Sequence, residues 1–355
     1  MIVGLIGPPQ SGKSTLFAAL TGKTIDPAAA FQEHTASIVV PDERIDYLAE
    51  IYKPKKVTYA TVDVCDFPGI SSSDDHGKEQ YRKHLPNIRL CDALVAVVRD
   101  FESDKVAKHR NRIDAAGDLA ALNDDSIFAD LETVMTRMAR LEKSLKKPAK
   151  SHEQEKHELA LLQRCQEALE ELKPLSTVLE HENEALLRSF AFLTEKPLVV
   201  VANVSEDKAK SEPTLRYEHA RGVINVCAEA EAQIAELDTP EDQAAFLEDL
   251  GIDTPARDRL IQTCYSAVGL ISFLTCGDPE VHAWPIKKGS DAVEAAGKIH
   301  SDIARGFIKA ETVHYDDFVA AGGDMKAVKA AGKLRQEGKG YIVQDGDIIN
   351  FKFNV

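Results

Sequence analysis

"GPPQSGKS", residues 7–14, has the spacing Gly-x-x-x-x-Gly-Lys-Ser, and this spacing decides how the rest of the chain is read. Before it, "MIVGLI" (1–6) is an apolar run that reads as a buried strand. After it, "STLFAALTG" (14–22) reads as a helix stopped at Gly22. A strand, a glycine-bearing loop and a helix in that order form a phosphate-binding P-loop. The glycines let the main chain wrap an anion, and the helix N-terminus aims N–H groups at it. Gly7, Pro8, Pro9, Gln10, Ser11 and Gly12 are therefore expected to line a nucleotide, with Thr15 just inside the helix. Lys13 would reach the β- and γ-phosphates, and the Ser14 hydroxyl would hold Mg²⁺.

A Mg²⁺ site needs a carboxylate at a second strand end. "VTYATVDVCDFPGI" (57–70) supplies one: Asp66 opens Asp-x-x-Gly, which closes at Gly69. Asp66 would support the metal, and the Gly69 N–H would sense the γ-phosphate. A threonine from the intervening loop should complete the metal site. Thr35 is the nearest candidate and Thr24 the alternative, with a plain loop threonine an equal reading of Thr35. Ile70 stands where many GTP-hydrolysing enzymes carry a glutamine that orients water, and a hydrocarbon cannot do so. Hydrolysis is expected to be slow, with Lys13, Gly69 and Ile70 as the catalytic set. His76 and His84, just downstream, read as exposed histidines rather than bases.

The base end is expected in "VVVANVSED" (199–207), a β-branched strand ending at Asn203. GTP-binding proteins place Asn-Lys-x-Asp here. This sequence has Asn203-Val204-x-Glu206, so the lysine is lost and the carboxylate is longer. Guanine offers two donors to that aspartate, whereas adenine has neither. A displaced carboxylate leaves guanine's donors unpaired at about 1–3 kcal/mol, which lowers guanine selectivity. The competing reading is a strand-end asparagine and a solvated glutamate. Further on, "INVCAEAEAQIAEL" (224–237) suggests a strand ending at Cys227-Ala228, whose backbone either approaches the base or simply turns into a helix.

Composition narrows the class. The 355 residues are 44% hydrophobic and 28% charged, which fits a globular chain with a substantial core. A net charge of −15 argues against general nucleic-acid binding but allows a local basic patch. Six cysteines without a Cys-x-x-Cys pair read as reduced thiols. There is no signal-peptide pattern at the start and no membrane-length apolar run, so a cytoplasmic location with no membrane partner is expected.

With these motifs in place, the chain resembles the YchF-type Obg-like ATPases over nearly its whole length. The resemblance is carried by the P-loop, "LPNIRLCDALVAVVRDFE" (85–102), "FLTEKPLVVVANVSED" (192–207), "VCAEAEAQIAELD" (226–238) and "EGKGYIVQDGDIINFKFNV" (337–355). That family carries a hydrophobic residue after Asp-x-x-Gly and Asn-x-x-Glu at the base. The resemblance implies that Asn203 and Glu206 flank adenine, that ATP is the ligand ahead of GTP, and that the C-terminal TGS domain contacts ribosome or RNA. A monomeric nucleotide switch in translation or stress is expected. A non-hydrolysing nucleotide-binding protein and a GTPase are the alternatives. The family usually has Asn-Val where Gln10-Ser11 stand, and that asparagine helps place a monovalent cation, so K⁺ dependence stays open. Its second switch is richer in glycine than "SSSDDHGKEQYRKH" (71–84).

The expected architecture is α/β: a P-loop NTPase domain with a mainly parallel sheet, an inserted helical hairpin, and a small α+β TGS-like domain. The nucleotide domain is split, 1–125 plus 195–268. The insert, 126–194, shows apolar residues at helical spacing: Leu131, Val134, Met138, Leu141 and Leu145, then Leu159, Leu162, Cys165, Leu169 and Leu172. From 269 to 355 we expect two strands around a Gly-Asp-Pro turn, an amphipathic helix over 290–307, and a hairpin turning at Asp345-Gly346. Lys287, Lys288, Arg305, Lys309, Arg335 and Lys339 are candidate phosphate contacts. Interspersed acids favour a solvated mixed surface instead.

Overall fold

The computed structural model describes residues 1–23, 32–69, 75–104, 106–147, 152–179, 187–237, 239–250, 252 and 254–354. It resolves into two compact units: Met1–Ser37 with Asp63–Ala267, and Ile38–Val62 with Val268–Val355. Strands in chain order are β1 (Ile2–Ile6), β2 (His34–Val39), β3 (Lys56–Thr58), β4 (Thr61–Asp66), β5 (Ala93–Asp100), β6 (Leu198–Val204), β7 (Ala220–Val226), β8 (Leu270–Thr275), β9 (Glu280–Lys287), β10 (Phe307–His314), β11 (Arg335–Glu337) and β12 (Asp347–Phe353). Of the helices, α1 spans Lys13–Thr21, α2 Glu43–Tyr52, α3 Asp75–Leu90, α4 Ala115–Leu145 and α5 Glu153–Glu170.

The first sheet has the order β2-β4-β1-β5-β6-β7. From β4 to β7 every pairing is parallel. Parallel strands bury both faces, and β5 and β6 are accordingly near-continuous Val/Ala/Leu runs, buried from Ala93 to Arg99 and from Val199 to Val204. At the edge, Thr35 faces Cys65 and Ser37 faces Asp63, so β2 runs against β4. All the strand C-termini from β1, β4, β5 and β6 point to one end, where the loops that carry function emerge.

The helical insert is a hairpin of α4 and α5, but α4 begins at Ala115, inside the region expected to belong to the nucleotide domain. Asp114 caps it by accepting from Gly117 N at 2.9 Å. The hairpin buries Ile127, Val134, Leu141, Leu162, Cys165 and Leu169, and Arg137 clamps Glu158 across the pair at 2.7 and 2.8 Å. Leu172 leaves the apolar seam: it sits past the helix end at φ 59° and is exposed, because Pro174 ends the helix. Fully buried Asp130 on α4 accepts from Arg89 of α3 and from the Leu193 and Thr194 amides, fastening the hairpin to the strap that leads into β6.

The second sheet has the order β11-β10-β12-β8-β9-β3. It corrects two expectations. Residues 38–62 belong to this unit, because β3 pairs with β9 along Lys56↔Glu280 to Thr58↔His282. The turn at Asp345-Gly346 also makes no hairpin. Residues 341–344 form a loop, and β12 pairs with β10. Asp345 accepts from Ser272 N and Asp347 from Gln344 N and the Tyr341 hydroxyl, so side chains satisfy backbone that a hairpin would have paired. The expected amphipathic helix is two, Ala292–Ile299 and Ser301–Arg305, broken at extended His300. The hairpin around Gly277-Asp278-Pro279 forms as expected. Among the described residues no helix is long and apolar enough to cross a membrane.

Candidate functional site

The loop between β1 and α1 has the curvature its glycines allow. Gly12 caps α1 at φ 87°, where a Cβ would collide with the Asn203 carboxamide, and Gln10 is also left-handed at φ 65°. No side chain caps the N-terminus of α1, so its first amides are available to an anion. Lys13 lies on this turn, 6% exposed. Burial pulls its ammonium below the ordinary lysine range, and Asp66 pushes it back up. Pro8 and Ser11 are buried, while Gln10 and Thr15 are exposed.

β4 ends at Asp66, which is 3% exposed. The Ser14 hydroxyl donates to Asp66 Oδ2 at 2.7 Å, and Lys13 Nζ stands 3.8 Å from Oδ1. Oδ1 itself is buried with no hydrogen-bond partner. A buried carboxylate oxygen left unpaired is costly unless something cationic approaches it. Gly69 packs directly on the P-loop, where a Cβ would lie 2.9 Å from Pro9 Cα and N. The phosphate-end residues Lys13, Ser14, Asp66 and Gly69 are thus brought together.

Thr35 is not brought to this group. It lies in β2, and its hydroxyl meets Cys65 Sγ at 3.3 Å. Side chains alternate along β4, so Thr35 shares the Cys65 face and Asp66 points to the other. Ile70 and Thr24 lie outside the described residues. His84, read as an exposed histidine, is 7% exposed, and its Nδ1 is 2.5 Å from Glu33, which Asn87 also holds at 2.8 and 3.0 Å. Helical spacing of His84 and Asn87 on α3 hints at a shared face, but their partner fifty residues earlier leaves no local signal.

The base end is organised differently from expectation. Asn203, 4% exposed, donates from Nδ2 to the Ser11 carbonyl at 2.9 Å and accepts the Ala228 N–H at 3.0 Å. It ties the phosphate loop to the helix Ala228–Ala235. The Ala228 amide, expected at the base, is therefore taken by Asn203. Val204 is buried among Ala202, Ala209, Cys227 and Ile234, a core position. Glu206 is exposed, opening a short 3-10 turn. Burial raises the Cys227 thiol's pKa, and the Glu206 charge adds to it.

In the second unit four of the six basic candidates have local partners. Lys287 donates to the Val268 carbonyl, Lys309 to Gln336, Arg305 pairs Asp302 and Arg335 pairs buried Asp347. This is a mixed surface rather than a bare basic patch.

Residues 2–129 match the family model described as 50S ribosome-binding GTPase, and residues 270–354 match the model YchF-GTPase_C, described as a protein of unknown function. Over its full length the chain is 41% identical to a Bacillus subtilis protein named ribosome-binding ATPase YchF, with 100% of each chain covered. The chain belongs to the YchF family. An Escherichia coli O157:H7 YchF is 39% identical with 99% of each covered. The solved structure of the Schizosaccharomyces pombe YchF GTPase superposes with a TM-score of 0.83 at 29% identity, covering 99% of this chain and 97% of that one. YchF membership agrees with the split, mainly parallel nucleotide domain and the C-terminal unit described above.

Proposed function

We propose that the chain is a Mg²⁺-dependent ATPase with slow turnover that acts as a nucleotide-controlled switch on the ribosome; its relatives are named ribosome-binding ATPases. The observation that carries this reading is the Lys13–Ser14–Asp66 cluster under the uncapped start of α1. The amides of α1 and Lys13 bind and orient the phosphate chain. Ser14 and Asp66 would hold Mg²⁺, and the unpaired, buried Asp66 Oδ1 fits a cation there. One carboxylate and one hydroxyl suit a metal that keeps waters and phosphate oxygens for its other positions. When bound, Mg²⁺ neutralises charge on the β- and γ-phosphate oxygens. The Gly69 N–H, held against Pro9, registers the terminal phosphate. No glutamine follows it, so no side chain at that place orients water, and turnover is slow.

In this reading Asn203 fixes the loop that grips phosphate, and Glu206 faces the base without guanine's geometry. ATP is preferred, and the protein works as a monomer in the cytoplasm. A GTPase is the second reading, favoured because the fission-yeast relative is named a YchF GTPase. Calorimetric titration with ATP and GTP at equal Mg²⁺, with K⁺ and Na⁺ arms, separates them. ATP should bind at least as tightly as GTP, and a clear preference for GTP would overturn the base assignment. Single-turnover phosphate release with and without 50S subunits tests the switch. No release in either condition would reduce the protein to a nucleotide-binding one.

A further inference from the structure

Within the first unit, a cavity of about 40 Å³ lies between the sheet and the first turns of α4. Ile6, Leu94 and Ala96 line it from β1 and β5, and Leu119 and Leu122 from α4. The chain between the hairpin and β6 adds Pro174, Ser176, Thr194 and Lys196. A water needs about 10–15 Å³, so there is room for about three, or for a solute of three or four heavy atoms.

The polar wall divides into groups already used and groups still free. Ser126 donates to the Leu122 carbonyl at 2.9 Å, Thr194 to Asp130 at 2.9 Å, and the Tyr217 hydroxyl to Asn123 Oδ1. With its oxygen turned to Tyr217, Asn123 keeps both Nδ2 donors. Among the described residues neither Asn123 Nδ2 nor the Ser176 hydroxyl donates a hydrogen bond. Half-buried Lys196 donates once, to the Cys91 carbonyl at 2.7 Å, and makes no ion pair among the described residues. Two of its three N–H groups remain. Burial pulls its ammonium below the ordinary lysine range, further than the Cys91, Asp92 and Glu195 charges push it back. His219 also borders the cavity, its Nε2 3.3 Å from exposed Glu218. No aspartate or glutamate is among the described lining residues.

A partly desolvated ammonium with spare donors, neutral donors beside it and no acid in the wall favours a negative guest. The small volume brings these donors within reach of one guest. We propose that this cavity binds a small planar monoanion, a simple carboxylate or bicarbonate, held by Lys196, Asn123 and Ser176. Such an ion offers oxygens to all three donors and one charge to the ammonium. Its occupancy bridges the sheet, α4 and the strap, and so steadies the seat of the helical hairpin.

The test titrates the full chain with formate, acetate and bicarbonate, reading heat and melting temperature. Gluconate, too large to enter, holds the ionic strength constant. Acetamide controls for charge and benzoate for size. At least one of the three anions should saturate, at least about tenfold tighter than acetamide, and raise the melting temperature. Lys196→Met should erase that preference. Asn123→Asp keeps an acceptor for Tyr217 and puts a carboxylate in the wall; it should do the same, and serves if Lys196→Met melts early. Lys13→Ala should leave the preference intact, which separates the cavity from the phosphate loop. No saturable binding of any of the three anions, equal affinity for acetamide, or benzoate bound as tightly as acetate would overturn the proposal. So would a preference that survives in the folded cavity variants or vanishes in Lys13→Ala.

Discussion

The two ends of the nucleotide site are built to different standards. At the phosphate end, Lys13, Ser14 and Asp66 converge within hydrogen-bond or ion-pair reach, and the first amides of α1 carry no side-chain cap. At the base end, the asparagine that would read a ring is tied to Ser11 and Ala228, and the remaining carboxylate, Glu206, is exposed. On the proposed reading, a preformed phosphate end beside an exposed carboxylate at the base end makes triphosphate binding robust and base choice adjustable by few residues.

The sharpest way to break this contrast is Lys13→Ala. It leaves the buried Asp66 charge with only the Ser14 hydroxyl as partner, worth up to about 3–5 kcal/mol of stability, and removes the ammonium proposed to reach the phosphates, so ATP and GTP affinity should both fall at least about 100-fold in calorimetry. Gly69→Ala comes next. Its Cβ would press on Pro9 backbone, and displacing the γ-phosphate sensor should slow single-turnover hydrolysis by up to about 100-fold while ADP binding changes little. Asn203→Ala unpairs the Ser11 carbonyl and the Ala228 amide. Urea unfolding should register a loss of about 1–3 kcal/mol, with ATP and GTP weakened alike. A loss confined to one nucleotide would mean that Asn203 reads the base. The smallest effect is expected at Glu206→Ala, within about 0.5 kcal/mol in stability. Only the ATP-to-GTP ratio should move, by less than about tenfold.

Much of the phosphate end was legible in sequence because its determinants are contiguous. A loop that wraps an anion needs glycines, a lysine and a hydroxyl in fixed order, and Asp66 needed only a strand end. Thr35 failed as a metal candidate because strand pairing, not sequence distance, decides which face a hydroxyl takes. Val204 stands where GTP-binding proteins carry a lysine in the base motif, yet it belongs to the core formed with Cys227 and Ile234, which no local signal shows. The Asp345-Gly346 turn carried a strong local hairpin signal, yet Asp345 and Asp347 satisfied the flanking backbone through side chains, and β12 found β10 instead. The position of 38–62 was illegible for a related reason. β3 is three residues long, and its partner β9 lies more than two hundred residues away.

That placement bears on how such a protein can be inherited. The chain visits the second unit at Ile38, departs at Val62, and only then supplies Asp66; it returns for good at Val268. A gene segment coding 268–355 alone would carry β9 without its edge strand β3. Shuffling of the two units between lineages therefore requires three coordinated breakpoints rather than one, and a single recombination event at the later junction yields a sheet missing its border. Descent should keep the halves together, with matched changes across β3 and β9.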